Sequence, residues 1–356
     1  MIRWTHANIR SSSIALVVAA LLALLAACGS SDPAGPAADG TPQVGSAATY
    51  PMTITTPYGT TTLEKAPERV VVIGPEDVDA VLALGIVPVA AAGWGAYDDP
   101  EGNWAPYYGD TTVIKKTLTP VAGGADPEEI LSLKPDVIIA SGGIEDLAKG
   151  YDSLAKIAPV VTFPEKLESW GSGDPITTLR TIARPLNKVA EGEALIQKYE
   201  DELASARAAH PEFDGKTITL ASIGDGTGLH VWTQPDSAAE KFLDSLGFKP
   251  NPKTAEATGT LPEEKYELVD ADVLVTLTDR DSDEESIAKL RKNPLYNELK
   301  VVRNGAVVHL DDSPNGVFAA SPLTTPSVPS MIWMVENVPD LLAPAAKAAD
   351  AARTGG

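Results

Sequence analysis

The stretch Asp126-Pro127-Glu128-Glu129-Ile130-Leu131-Ser132-Leu133-Lys134-Pro135-Asp136-Val137-Ile138-Ile139-Ala140 carries one complete helix-to-strand unit. Asp126 is a helix N-cap residue, and Pro127 suits the first helical position, where its missing N–H costs nothing. Glu128 and Glu129 follow at the positive end of the helix dipole. Lys134-Pro135 stops the helix, because a proline ring disfavours helical backbone in the residue before it. Residues 136–140 then run almost wholly apolar, the pattern of a strand buried on both faces. Outward from this unit the same grammar recurs. Residues 69–74 read as a buried strand, 75–84 as a helix opening on Pro75 with Glu76, Asp77 and Asp79 near its start, and 87–92 as the next strand after Gly85. Downstream, 151–158 reads as a helix and 160–163 as a strand. Upstream, 52–56 and 60–63 flank Pro57-Tyr58-Gly59 as a hairpin-like start. This alternation predicts a parallel sheet with helices on both faces.

Residues 174–186 read as helical and break at Pro185-Leu186-Asn187. A long pattern rich in Ala, Glu, Leu and Lys runs from Val189 to about Ala209 and ends at His210-Pro211. Its roughly 20 residues span about 30 Å as a helix. A second alternating block follows, with strands at 217–223, 229–232, 273–278 and 307–310. Its helices fall at 237–246, 262–269, 284–291, 325–337 and 339–351, and 353–356 should fray. The expected fold class is α/β: two Rossmann-like lobes with parallel sheets, 51–173 and 212–356, joined by a single long helix within 174–211.

The chain of 356 residues carries 28 Lys and Arg against 49 Asp and Glu, a net charge of −21. That balance argues against a nucleic-acid partner and against electrostatic docking on an anionic membrane. A 44% hydrophobic content is enough to build a core. Cys28 is the one cysteine, which excludes an intrachain disulfide, a CxxC pair and a Cys-rich zinc site. Residues 1–10 carry Arg3 and Arg10 and no acid, and 14–27 are almost purely apolar. Such a run is shorter than the roughly 20 residues of a spanning helix and reads as a signal peptide covering 1–27. Leu25-Ala26-Ala27-Cys28 resembles the lipobox of bacterial lipoproteins. The resemblance implies cleavage before Cys28, its lipidation, and a place on the extracytoplasmic face of the cell membrane, held by the lipid anchor only. Residues 28–50, rich in Gly, Ser, Ala and Pro, read as a flexible tether.

The motifs together resemble a family. Glu68 to Gly74, with Asp79-Ala80-Val81-Leu82-Ala83-Leu84-Gly85 and Val87-Pro88-Val89, looks like the opening of the iron–siderophore substrate-binding proteins of bacterial ABC importers, the ferric hydroxamate and vitamin B12 type. Glu129 to Ile139 is similar to that family's most recognisable segment. Tyr151 to Val161 matches its next helix and strand, and Leu268 to Val275 the equivalent pair in the second lobe. The resemblance implies the class III periplasmic binding protein architecture, a ligand in the inter-lobe cleft, and no enzymatic activity. It also implies delivery to a permease served by a separate cytoplasmic ATPase; the chain itself has no GxxxxGK[ST] loop. A monomer with no cofactor, taking iron already bound through its chelator, is the expectation. Each lobe of the family docks through an exposed acid. Pro127-Glu128-Glu129 and Pro262-Glu263-Glu264 stand at the matching helix starts, which makes Glu128 and Glu263 or Glu264 the docking candidates. Helix-dipole compensation alone would also explain glutamates there.

Ligands of α/β sheets bind beyond the carboxyl ends of strands. Trp94, Trp104, Trp170 and Trp232 follow or neighbour such ends, whereas Trp333 lies in an apolar helical pattern and reads as core. Tyr107 and Tyr108 could add hydroxyls near Trp104. Gly142-Gly143 follows a strand and lets backbone approach a ligand. Arg280 follows the strand 273–278 and is a candidate donor to a ligand oxygen, or a surface partner of Asp279, Asp281 or Asp283. Asn315 and Phe318 are weaker candidates.

His210, His230 and His309 have no HxH or HxxxH partner, so direct coordination of a bare metal is not expected. No G-x-S-x-G elbow is present. A Rossmann-like enzyme is the competing class, but no G-x-G-x-x-G follows the first strand, and acids there would repel a pyrophosphate. Most other Asp and Glu read as solvated helix faces. One arginine on a plausible cleft loop favours a neutral or cationic ferric chelate over a tri-catecholate; haem and cobalamin are the alternatives of the same class.

Overall fold

A computed structural model describes residues 48–92, 107, 109–121, 124–141, 147–167, 173–223, 228–257, 259–278, 284–310, 322–323 and 325–354. A hairpin of β1 (Met52–Thr56) and β2 (Gly59–Leu63) opens the chain. The first sheet comprises β3 (Val70–Val72), β4 (Ala90–Ala92), β5 (Thr117–Leu118), β8 (Val137–Ala140) and β9 (Val160–Thr162), in the order β5-β4-β3-β8-β9, with every pairing parallel. Between β5 and β8 a small antiparallel hairpin, β6 (Pro120–Val121) and β7 (Gly124–Ala125), leads into the next helix. Helices α1 (Pro75–Ala83), α2 (Pro127–Leu133) and α3 (Leu147–Ala155) make the crossovers. Asp126 caps α2 by accepting from the Glu128 N–H, and Lys134 ends it in left-handed backbone.

α4 (Pro175–Ala183), capped by Asp174, leads to α5 (Val189–Ala209), whose 21 residues match the long pattern in the sequence. Gly192 sits inside α5, where glycine costs helix stability. Its reason is a close approach: a Cβ there would stand 3.0 Å from Ala183 Cβ on α4.

The second sheet comprises β10 (Thr217–Ile223), β11 (Leu229–Val231), β12 (Lys249–Pro250), β13 (Thr260–Leu261), β14 (Val273–Thr278) and β15 (Val307–His309). Its order is β13-β11-β10-β14-β15, with β12 parallel to the start of β10. It departs from the all-parallel expectation. β10–β14 and β14–β15 are parallel, but β11 is antiparallel to both β10 and β13. The link from Ile223 to Leu229 is too short for a crossover, which needs a dozen or more residues, so the chain must turn back. Around this sheet lie α6 (Ala238–Ser245), α7 (Glu284–Lys292), α8 (Pro294–Glu298), α9 (Lys300–Arg303), α10 (Val328–Asn337) and α11 (Pro339–Thr354). The helix expected at 262–269 is a 3-10 helix, Glu263–Val269, with Pro262 as its extended N-cap. The last helix continues to Thr354, beyond the expected 351.

α10 packs against α5, α4 and α1, helices that precede the second sheet in the chain. Its buried Met331, Trp333 and Met334 join a single apolar cluster that includes Val72 and Val81 as well as Leu220 and Val275. The two sheets therefore share one core through α5 and α10. No helix among the described residues is long and apolar enough to cross a membrane.

Candidate functional site

In the first sheet the strand order reverses direction at β3 and β8, and such a switch point opens a crevice at the carboxyl ends of the strands. A nucleotide-binding fold presents free backbone N–H groups there. In this chain an acid of α1 meets the end of β8 at that crevice. Asp77, fully buried on the first turn of α1, accepts the Ser141 N–H at 2.8 Å and the Ser141 hydroxyl at 2.6 Å. The carboxylate thus takes the donors just beyond β8 that a phosphate would need.

Two further acids of α1, Glu76 and Asp79, are also buried, against the reading of acids as solvated helix faces. Asp79 accepts from the Ser327 hydroxyl at the N-cap of α10 and from the Ala80 N–H at 2.7 Å. Burial pushes its carboxyl up to about 8, with Glu76 and Asp77 pushing the same way and the hydrogen bonds opposing. Ser327 and Ser330 close a capping box, so Asp79 ties α1 to the start of α10.

Beside Ser141, at the ends of β8 and β9, lies a small open pocket with a cavity volume of about 30 Å³. Its walls include Tyr58, Leu147, Phe163 and Leu167, with the polar groups of Ser141, Thr162 and Glu165. Tyr58, at the tip of the first hairpin, leans on Tyr151 of α3 with ring centroids 5.0 Å apart. Sequence reading passed over this wall. The available signal was an aromatic ring between proline and glycine in a turn, where it packs on nothing local.

Of the ligand candidates, Tyr107 and Trp232 are described. Tyr107 sets its ring edge-on to Trp333 of α10, 5.8 Å between centroids, and is half-buried against the shared core. Trp232 follows β11, is half-buried, and donates its indole N–H to Ser222 Oγ of β10 at 2.9 Å. His230 meets the indole edge-on at 4.5 Å. What Trp232 can offer a ligand is therefore ring surface. Trp333 is buried in the core, as its pattern indicated. Cys28, Trp94, Trp104, Tyr108, Gly142, Gly143, Trp170, Arg280, Asn315 and Phe318 lie outside the described residues.

The paired glutamates divide. Glu129 accepts the Thr119 N–H at 2.9 Å and pairs with Lys116 at 3.1 Å, and these contacts, the backbone bond first, hold its carboxyl below the usual range. Glu128 is exposed. In the second lobe Glu263 is half-buried over Tyr266, whose hydroxyl burial, with Glu263 adding, pushes up to about 12. Glu264 is exposed. Among the described residues no three His, Cys, Asp or Glu are placed to hold a metal ion.

Two α/β lobes sharing a core through one long helix are the architecture of a class III periplasmic binding protein. The chain belongs to the periplasmic binding protein family, whose model matches residues 70–314. It is 30% identical over 262 residues to the Fe(3+)-citrate-binding protein YfmC of Bacillus subtilis, covering 71% of this chain and 76% of that one. It is 31% identical over 262 residues to the probable siderophore-binding lipoprotein YfiY of the same organism, covering 69% and 75%. Among solved structures it resembles the iron-uptake substrate-binding protein PiaA of Streptococcus pneumoniae in complex with ferrichrome, with a TM-score of 0.64 and 27% identity over 83% of this chain and 99% of that one.

Proposed function

We propose that this protein captures an iron(III)–siderophore in the cleft at the carboxyl ends of its two sheets and delivers it to the permease of an ABC importer. The observation that carries the reading is the first sheet's switch point. Its phosphate-binding position is filled by Asp77 on Ser141, while the adjoining pocket offers Tyr58 and Phe163. That chemistry suits a shielded chelate with apolar arms and carbonyl oxygens, not a nucleotide. Relatives named for ferric citrate and siderophores, and a resemblance to a ferrichrome complex, support it.

In this proposal Trp94, Trp104, Tyr107, Gly142, Trp170 and Trp232 line the cleft and Arg280 donates to a ligand oxygen. Cys28 carries the acyl chains that hold the protein at the outer face of the cell membrane, with 28–50 as the tether. The lobes span 51–173 and 212–356, bridged within 174–211, and the protein acts as a monomer. Glu128 and Glu263 or Glu264 meet basic residues of the permease. A neutral trihydroxamate is the preferred cargo, because the acidic chain brings few cations to the strand ends.

Tryptophan emission titrated with ferrichrome, ferric citrate, a ferric tri-catecholate, haem and cobalamin tests this. Saturable quenching by ferrichrome in preference to the others is expected. No response to any iron chelate, with a response to haem or cobalamin, would replace the cargo.

A further inference from the structure

We propose that the pocket at the carboxyl ends of β8 and β9 takes a protonated amine carried on an arm of the ferric chelate, with Glu165 as the charge that selects it. The inference rests on the siderophore reading and adds to it a preference among hydroxamate chelates: a neutral iron core with a cationic tail.

The pocket is too small for a whole chelate. Its cavity volume of about 30 Å³ is close to the space one molecule takes in liquid water, the size of a single ammonium head. Its lining is short of protons to give. The Ser141 hydroxyl donates to Asp77 at 2.6 Å, and the Ser141 N–H donates to the same carboxylate at 2.8 Å. The Thr162 hydroxyl donates to the Phe163 carbonyl at 3.0 Å. Ser141 and Thr162 are almost wholly buried, at 1% and 3% exposed, and what their hydroxyls have left to offer is lone pairs. Glu165, just past the end of β9, adds a carboxylate. Among the described residues it has no hydrogen bond and no ion pair, with its exposed neighbour Lys166 or with any other. Tyr58 is the remaining polar side chain, and among the described residues no Lys, Arg or His lines the pocket.

Acceptors without matching donors select a donor-rich guest. An ammonium brings three N–H donors and no acceptor. A water molecule would satisfy the two hydroxyls, but it has no charge to set against Glu165 or against the rings of Tyr58 and Phe163, which attract a cation. A carboxylate or phosphate arm would meet Glu165 as a like charge, and an alkyl arm would leave the buried hydroxyls unanswered. The chain's net charge of −21 acts in the same direction by drawing cations towards the site. Placement ties the pocket to the cargo. β8 and β9 are parallel, so both carboxyl ends, and the pocket with them, lie on the edge where ligands of such sheets bind. A chelate held there meets this pocket with an arm, not with its iron core.

The test compares the ferric complex of desferrioxamine B, a linear trihydroxamate ending in a primary amine, with that of its N-acetyl derivative, which keeps the iron core and loses the charge. Tryptophan emission of the full chain follows both titrations. The parent should bind the amine form about fivefold tighter, and added salt should shrink that margin. Glu165→Gln, which removes the charge and keeps the shape, should bring the margin below about twofold and leave the acetyl form bound as by the parent. Its melting temperature should equal the parent's, because Glu165 bonds to no described residue. Equal affinity of the parent for the two chelates overturns the amine pocket and leaves the hydroxamate cargo standing. A margin that survives Glu165→Gln overturns it too, since the acetyl group is then refused for its bulk. If the parent binds neither chelate, the hydroxamate cargo falls and the amine pocket falls with it.

Discussion

Replacing Asp79 by asparagine should remove a pH dependence of stability that the buried carboxyl imposes. Folding moves this group from an ordinary carboxyl value of 3.8 to about 8. Between those values the native state holds a proton that the unfolded chain has released. Its contribution is fully present below about pH 4 and is lost as pH rises through about 8, at about 1.4 kcal/mol per pH unit. From pH 5 to 7.5 the parent should lose roughly 3 kcal/mol through this group alone. Asparagine is nearly isosteric with the protonated acid and does not titrate. It can still accept the Ala80 N–H and meet Ser327, so at pH 5 it should cost about 1 kcal/mol or less. By pH 7.5 the order should invert, with Asp79→Asn the more stable. Urea unfolding followed by circular dichroism at several pH values measures this, and the parent-minus-variant difference cancels what Glu76 and Asp77 contribute in common. A difference that stays constant from pH 5 to 7.5 would refute the reasoning, since the carboxyl would then be ionised or solvated in the native state.

Asp77→Ala should lower stability by about 2 kcal/mol by leaving the Ser141 N–H and hydroxyl buried without their acceptor, and adding Ser141→Ala should recover part of it; thermal melts of the two variants decide, and an equal loss in both would mean the cost is packing. Gly192→Val should cost about 1–3 kcal/mol by forcing α5 off Ala183, Leu84 and Leu179; an unchanged melting temperature would show the helices have room. Trp232→Ala should weaken ferrichrome binding by about 1–3 kcal/mol through lost ring surface, while Ser222→Ala, which removes only the indole's acceptor, should cost under about 1 kcal/mol; the reverse ranking by titration would mean the hydrogen bond, not the ring face, matters. Small-angle scattering with and without ferrichrome should show little compaction, because α5 offers no soft hinge; a large drop in radius of gyration would count against a stiff bridge.

The local grammar of this fold was legible because it is written in nearest neighbours. Val189–Ala209 needed only an uninterrupted helical pattern between Asn187 and His210-Pro211. α2 needed only Asp126-Pro127 at one end and Lys134-Pro135 at the other. The strands 217–223 and 273–278 were read at their structural bounds from apolar runs. Trp333 was assigned to the core because its neighbours are Met and Ile at helical spacing.

What the tertiary structure decided involves partners far apart in the chain. Asp77 finds Ser141 64 residues on, and Asp79 finds Ser327 248 residues on. Near a helix start their sequence context suits exposed dipole compensation equally well, so burial was invisible until β8 and α10 arrived. The antiparallel β11, the return of α10 to α1 and α4, and Tyr58 as a pocket wall are likewise matters of which surfaces meet. The same holds for Pro-Glu-Glu: identical triplets at 127–129 and 262–264 become a capped α-helix and a 3-10 turn. Sequence fixes backbone preference over a few residues, through sterics and capping bonds. Which acid is held by a backbone donor, as Glu129 is by Thr119, and which stays open to solvent, as Glu128 does, depends on packing, because only packing brings the competing donor within reach.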